Sequence, residues 1–357
     1  MSLSGITTKA SELAALRTIP RAKNWVEPPE ALSSQGTFGA YPPGSENYSY
    51  GAPYMHWARL FSIPDSDYTY GLVEIGGYVL LGNGDVVYRS YETRPFHTVV
   101  NYASQPLRAL HNRQDSTIYG GFSGGSGLLK RLVSPTANTF TWQGYTNATA
   151  NLSSVDAIAA YAGQSLIVCG GAGAAAAGAE LWFVFPDLTC NLGYTANAPN
   201  TYANTMESLL WYDGWYYVGL GTPDAYVLRA ASLSPLLSGW QEYAFPAGTA
   251  VKDMKVFGGS VYASVSPTGV WKFDDDALEW SVVKSLLSPS CLCASDSYLY
   301  CGMFDGFGSG YVLRSADGVT WSTASPPLGA SSPSKMHWKA PYLYVAIEDA
   351  VWVGREL

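Results

Sequence analysis

One short pattern recurs seven times along this chain, and it restricts the fold more than any other feature of the sequence. A small or turn-forming residue leads into a strand rich in Tyr and β-branched residues, and a small residue closes it. The copies read Gly77-YVLL-Gly82, Ser116-TIYG-Gly121, Ser165-LIVC-Gly170, Gly214-WYYV-Gly219, Gly259-SVYA-Ser264, Ser297-YLYC-Gly302 and Pro341-YLYV-Ala346. Aligned on the third strand residue, they fall at Leu80, Tyr119, Val168, Tyr217, Tyr262, Tyr300 and Tyr344, with spacings of 38 to 49 residues. The residue two further on is always Gly, Ser or Ala, so each copy repeats a packing requirement as well as a strand.

Each unit continues in the same way. A second apolar strand follows, usually ending in a basic residue: Arg89, Lys130, Arg229, Lys272, Arg314 and Arg355, with LWFVF and no base in the third unit. After a short turn an aromatic opens another strand, at Phe96, Trp142, Trp240, Trp280 and Trp321. A further apolar segment, such as LRALH (107–111), SLLWY (208–212) or KMHW (335–338), precedes the next copy. Four strands per unit and seven units predict an all-β chain, a seven-bladed β-propeller. A lone four-stranded unit cannot cover both its faces, whereas radially stacked units cover each other. The small residue after each Tyr strand then suits close approach near the narrow axis. Solenoids repeat at shorter periods or use helices, which this Gly- and Tyr-rich pattern does not favour.

The seventh unit stops at Leu357 without its fourth strand. A spare strand lies upstream, Met55-HWARLFS-Ile63, and Trp57 precedes Leu80 by 23 residues. Phe96 precedes Tyr119, and Trp321 precedes Tyr344, by the same 23. The N-terminal strand is therefore expected to complete the last blade and close the ring, which removes an exposed sheet edge. Residues 51–357 form the propeller on this reading, and residues 1–50 lie outside it as an arm. Thr8 to Ile19 can form a short helix stopped by Pro20. Phe38, Tyr41, Tyr48, Tyr50 and Tyr54 are too many aromatics for a solvated linker. The arm is expected either to wrap the propeller or to dock on a larger assembly.

Composition excludes several classes of function. A net charge of −8 gives no electrostatic support to nucleic-acid binding. No run of 18 apolar residues predicts membrane insertion. The N-terminus lacks a charged and then apolar leader, so no secretory signal is expected. Five Cys, with Cys291 and Cys293 on one side of a strand, read as buried free thiols. Four His carry no ligand-pair spacing, so neither metal nor cofactor is expected.

The segment Arg314-SADGVT-Trp321 resembles the Asp-box of sialidase-type and related bacterial and phage propellers, one residue shorter before the Gly. Degenerate copies stand at Arg89 to Phe96 and Lys272 to Trp280. Its physical content is a turn, in which Asp accepts backbone N–H bonds, Gly takes positive φ and Trp packs beneath. In that family the box lies away from the active face and marks the fold alone. The resemblance implies that loops between second and third strands, and between blades, share the opposite face.

Those loops carry Phe122, Tyr194, Tyr202, Phe304 and Phe307 among Gly, Ala and Asn, with Asp305 as a formal charge. Aromatic anchors among small hydrogen-bonding residues suit an adaptable binding surface, including sugars that stack on rings. These six residues are the candidate ligand contacts, and stacking on neutral rings predicts affinity nearly insensitive to salt. No catalytic constellation is visible: no P-loop, no G-x-S-x-G, no H-E-x-x-H, and no paired carboxylates. The reading is a non-enzymatic binding propeller on a phage virion, tail or similar extracellular particle, recognising a surface glycan or protein receptor. The alternatives are a cytoplasmic protein-interaction scaffold and a glycan-processing, sialidase-like enzyme.

Overall fold

The computed structural model describes residues 55–63, 69–84, 86–91, 97–101, 105–113, 117–124, 128–133, 141–144, 153–160, 167–172, 179–185, 190–195, 203–231, 240–286 and 288–356. The arm and helix expected over residues 1–50 lie outside them. Within them the chain is all β, and its strands form four-stranded antiparallel units in sequence order. The first strands of the seven units begin at Thr69, Leu107, Ala157, Ala203, Ala250, Pro289 and Lys335. The fourth and fifth units are also joined through the pair Gly221–Ala250. Successive first strands pack on one another, and that of the seventh unit, Lys335–Lys339, packs back on that of the first, Thr69–Ile75. This cyclic arrangement is a β-propeller.

Tight turns start the Tyr strands as the repeat requires. Gly76 and Gly77 (φ 53° and 86°), Asp213 and Gly214 (48° and 80°), and Gly258 and Gly259 (55° and 77°) occupy the two central positions of hairpin turns. Two consecutive positive φ angles match the right-handed twist of the strands they join. The Tyr residues beyond them are core: Tyr217, Tyr262, Tyr300 and Tyr344 are at most 2% exposed.

The small residue two positions later lies where one unit meets the next. A Cβ added to Gly82 would come 2.2 Å from Leu107, and at Gly121 it would come 2.2 Å from the Val155 carbonyl oxygen. At Gly170 it would approach Met206 Sδ to 2.0 Å, and at Gly302 it would approach Pro333 Cβ to 2.8 Å. Each of these partners belongs to the following unit. The repeat's glycines are thus set by inter-blade contact.

The N-terminal strand His56–Ser62 pairs antiparallel with Ala350–Arg355, Trp57 opposite Gly354. Trp57 is 4% exposed, and its indole Nε1 donates to the Ala324 carbonyl of the sixth unit at 2.7 Å. One side chain therefore ties the N-terminal strand to two units. Four of the basic residues ending the third strands, Arg89, Lys130, Arg229 and Arg314, are buried against aromatic rings. The guanidinium of Arg229 lies 4.0 Å from the Trp215 ring and 4.8 Å from Phe273, and it pairs with Asp275 at 2.7 Å. Arg89 and Arg314 cover Tyr78 and Tyr298 at 4.6 and 4.7 Å.

The turn after Arg314 has the expected form. Asp317 Oδ1 accepts N–H bonds from Val319 (2.8 Å) and Thr320 (2.6 Å), and Gly318 takes φ 77°. Trp321 is half-buried, packed against the cluster of Met303, Tyr311 and Leu313 in its own unit. Cys291, Cys293 and Cys301 are buried free thiols, and burial pushes Cys291 and Cys293 up to about 12.

Candidate functional site: the mouth of the central cavity

Five of the first strands carry the same irregularity. One extra residue interrupts the pairing between Thr69 and Gly71, Leu107 and Ala109, Met206 and Ser208, Val251 and Asp253, and Pro289 and Cys291. The extra residues are Tyr70, Arg108, Glu207, Lys252 and Ser290. The other two units achieve the same count. Asp156 N–H and the partner of Ala157 both use Gly170, and Ser334 N–H and the partner of Lys335 both use Ala346. A β-bulge leaves its extra residue out of the ladder and re-aims the side chain. All seven side chains line one cavity of about 1390 Å³ on the axis of the propeller.

The placement follows from local chemistry. The residue before each bulge is buried: Thr69 is 3% exposed, Leu107 1%, Val155 0%, Met206 0% and Val251 0%. The strand is thus anchored in the inter-blade core while the bulged residue, half-buried in every unit, turns to the cavity. The wall is completed by Ser331 and Ser332 from a loop between blades, and by Glu348 and Asp349 from a turn between second and third strands. The cavity therefore opens on the face expected from the loop arrangement.

Neighbouring ring members touch across blades. Arg108 donates from Nη1 to the Tyr70 hydroxyl at 3.0 Å and from Nε to Ser123 Oγ at 3.2 Å. Lys252 pairs with Glu207 at 3.3 Å, and Glu207 also accepts from Thr205 at 3.0 Å. Ser154 donates to Asp156, Glu348 accepts the Ala330 N–H at 2.6 Å, and Asp349 pairs with Arg59 at 3.1 Å. Every carboxylate of the wall holds a structural partner. Among the described residues no cluster of His, Cys, Asp and Glu is arranged to hold a metal.

Of the six loop residues singled out from sequence, the four whose side chains are described, Phe122, Phe304, Asp305 and Phe307, do not border this cavity. Phe122 is core: 1% exposed, edge-on to Trp142 at 5.2 Å, with the Lys130 ammonium 4.5 Å from its ring. Its ring packs inward because it ends a second strand whose face is covered by the fourth, which corrects the expectation that it meets a ligand. Phe304 is half-buried at the end of its strand. Asp305 Oδ1 accepts the N–H groups of Phe307 (2.7 Å) and Ser309 (3.0 Å), so it shapes a turn. Phe307 is 74% exposed. Tyr194 pairs through its backbone with Leu181; its side chain, and all of Tyr202, lie outside the described residues. The neutral, aromatic wall expected from loop composition is replaced at the cavity by serines and charges. The missed residues had a sequence signal, since five of the seven stand ten positions before the aligned strand residue (Tyr70, Glu207, Lys252, Ser290 and Ser334).

In comparisons with known proteins, no family model and no curated protein matches the chain. Solved structures do match. One is a catalytically inactive virginiamycin B lyase from Staphylococcus aureus, solved with quinupristin (TM-score 0.63, 10% identity, 85% of this chain and 100% of that one). Another is a chain of a mitotic checkpoint complex (0.61, 10%, 88% and 98%), and a third is the computationally designed Ika8 protein (0.55, 12%, 84% and 99%). At such identities the likeness is one of fold.

Proposed function

We propose that this protein is a non-enzymatic binding propeller that holds a hydroxyl-rich ligand, most simply a glycan, at the mouth of its central cavity. The observation that carries this reading is the lining, in which seven Ser and two Thr alternate with charged groups around Tyr70. Such a wall exchanges hydrogen bonds with sugar hydroxyls and offers one ring for stacking. Hydrolysis of a glycoside requires two carboxylates free to face the scissile bond. The wall's carboxylates instead hold Lys252, Ser154, Ala330 and Arg59. The Asp317 turn supports kinship with Asp-box propellers, which concerns the fold and not an activity.

Display on a virion or similar particle suits this reading, because many copies multiply a monovalent affinity of roughly millimolar to micromolar. Hydrogen bonds and stacking to an uncharged glycan should leave affinity nearly insensitive to salt, whereas an acidic glycan should bind less tightly as salt rises. A glycan array at low and high salt tests the proposal with wild type, Tyr70→Ala and Phe307→Ala. Retention without hydrolysis, lost in Tyr70→Ala and kept in Phe307→Ala, is expected. Cleaved glycan would favour an enzyme. Phe307, exposed on its turn, favours a protein-interaction scaffold as the second reading, which would be preferred if no glycan binds and Phe307→Ala abolishes capture of a protein receptor.

A further inference from the structure

The bulged residues differ from the rest of the repeat in one respect. Around them the unit is restrained by contact: the residue before each is buried, and in five units the small residue of the neighbouring strand is a Gly that has no room for a side chain. The bulged residue itself stands outside the ladder, and although several bond across blades (Arg108 to Tyr70, Lys252 to Glu207, Ser290 to the Pro333 carbonyl), its residue type differs between most units. The second to fifth units supply Arg108, Asp156, Glu207 and Lys252, a charged half. The sixth, seventh and first supply Ser290, Ser334 and Tyr70, a hydroxyl half. A position that the fold holds in space but leaves chemically unconstrained can be used to read a ligand.

Within the charged half, Glu207 and Lys252 neutralise each other. Arg108 differs: two hydroxyls hold it, its guanidinium carries five donors, and among the described residues no carboxylate lies within ion-pair reach. The Tyr70 and Ser123 bonds orient the remaining N–H groups, so little conformational freedom is left to lose on binding. Lys335 adds a second cation of the same wall without an ion-pair partner among the described residues. The serine hydroxyls of the wall can exchange hydrogen bonds with sugar hydroxyls. We infer that the seven bulge residues, rather than the loop aromatics, decide which ligand the cavity accepts, and that Arg108 makes it prefer an acidic sugar to a neutral one. This rests on the reading of the cavity as a glycan site.

Titration calorimetry of the full chain with glucose-, glucuronate- and glucose-6-phosphate-terminated oligosaccharides tests it, with the Tm of each variant measured alongside. Wild type should bind an acidic terminus about tenfold or more tighter than the glucose one, and the two acidic arms separate carboxylate from phosphate. Arg108→Gln should bring the ratio of acidic to neutral affinity to about one, whatever the neutral-sugar affinity becomes, and should shift Tm by less than about 2 °C. Arg108→Lys should keep part of the preference, and Phe307→Ala should keep all of it. Equal affinity for the three sugars, or a preference that survives Arg108→Gln, overturns the inference and leaves the glycan reading standing. A fall of more than about 10 °C in the Tm of Arg108→Gln also overturns it, because the residue would then be structural. Binding of none of the three sugars overturns both.

Discussion

At the scale of single residues, the inter-blade glycines and the Asp317 turn make separate demands. A methyl group at Gly121 meets a backbone carbonyl, that of Val155, which cannot step aside as the tip of a side chain can. At Gly82 it meets the δ-methyls of Leu107 and Leu110, which can rotate. Gly121→Ala should therefore cost about 1–3 kcal/mol, the usual range for overpacking, and clearly more than Gly82→Ala. Urea melts of the two variants check the order. Asp317 responds to pH. The backbone N–H groups of Thr320 and Val319 hold its carboxyl below the ordinary 3.8, so the folded chain binds that proton more weakly than the unfolded one. The resulting stability is complete above the ordinary value and drains away as pH falls through it and below. Asp317→Asn should lower Tm at pH 7 and flatten the acid limb of the Tm profile below about pH 4. A profile parallel to wild type would show that the turn contributes nothing.

Among the elements, the N-terminal strand carries the most concentrated contact. Trp57 is buried, its ring lies over Gly354, and its N–H satisfies the Ala324 carbonyl of another blade. Trp57→Ala should cost about 3–5 kcal/mol, as for other deleted buried aromatics. Trp321→Ala, at a half-buried ring without such a bond, should cost about half as much. Chemical denaturation of the pair measures the difference, and equal losses would remove the special role assigned to Trp57. The first and last units are also clasped through charges. Glu74 faces His337 at 3.9 Å and Lys339 at 3.4 Å, and its carboxyl is lowered, chiefly by the neighbouring His337. As a half-buried network open to solvent screening, this refines the junction without dominating it.

The whole molecule depends on the cyclic packing of its units, and the prediction at this scale concerns the strand that joins the two ends. Removing residues 1–63 leaves Ala350–Arg355 with an unpaired edge, a template for pairing with other chains. That truncation should lower Tm by more than 10 °C, or about that order, and should shift the protein to oligomers in size-exclusion chromatography. A truncated protein that stays monomeric and melts like the full chain would show that the strand is dispensable. The proposed site belongs to the same scale, because each of the seven blades contributes a bulge residue to the cavity wall and no single blade forms that wall.

Legibility follows from how each feature is encoded. The Tyr-strand repeat, the small residue beyond it, and the 23-residue register of Trp57 are local patterns whose period survives in the chain, so the architecture could be read from sequence. The buried thiols were legible too, because Cys291 and Cys293 share one side of a strand. The site was not. Phe122 and Phe307 look alike in composition, yet one ring packs inward on Trp142 and the other points to solvent, and only packing decides between them. Tyr70, Arg108 and Lys252 sit in apolar segments, where the alternation of a regular strand gives no sign of an extra residue. What expels each of them is the register of its strand against the next, and what assembles them is the meeting of seven blades on one axis. Sequence alone determined the repeating unit and its closure, because those rest on contacts whose spacing recurs. The identity of the site was decided by the tertiary structure, because it is made from single residues of seven distant segments.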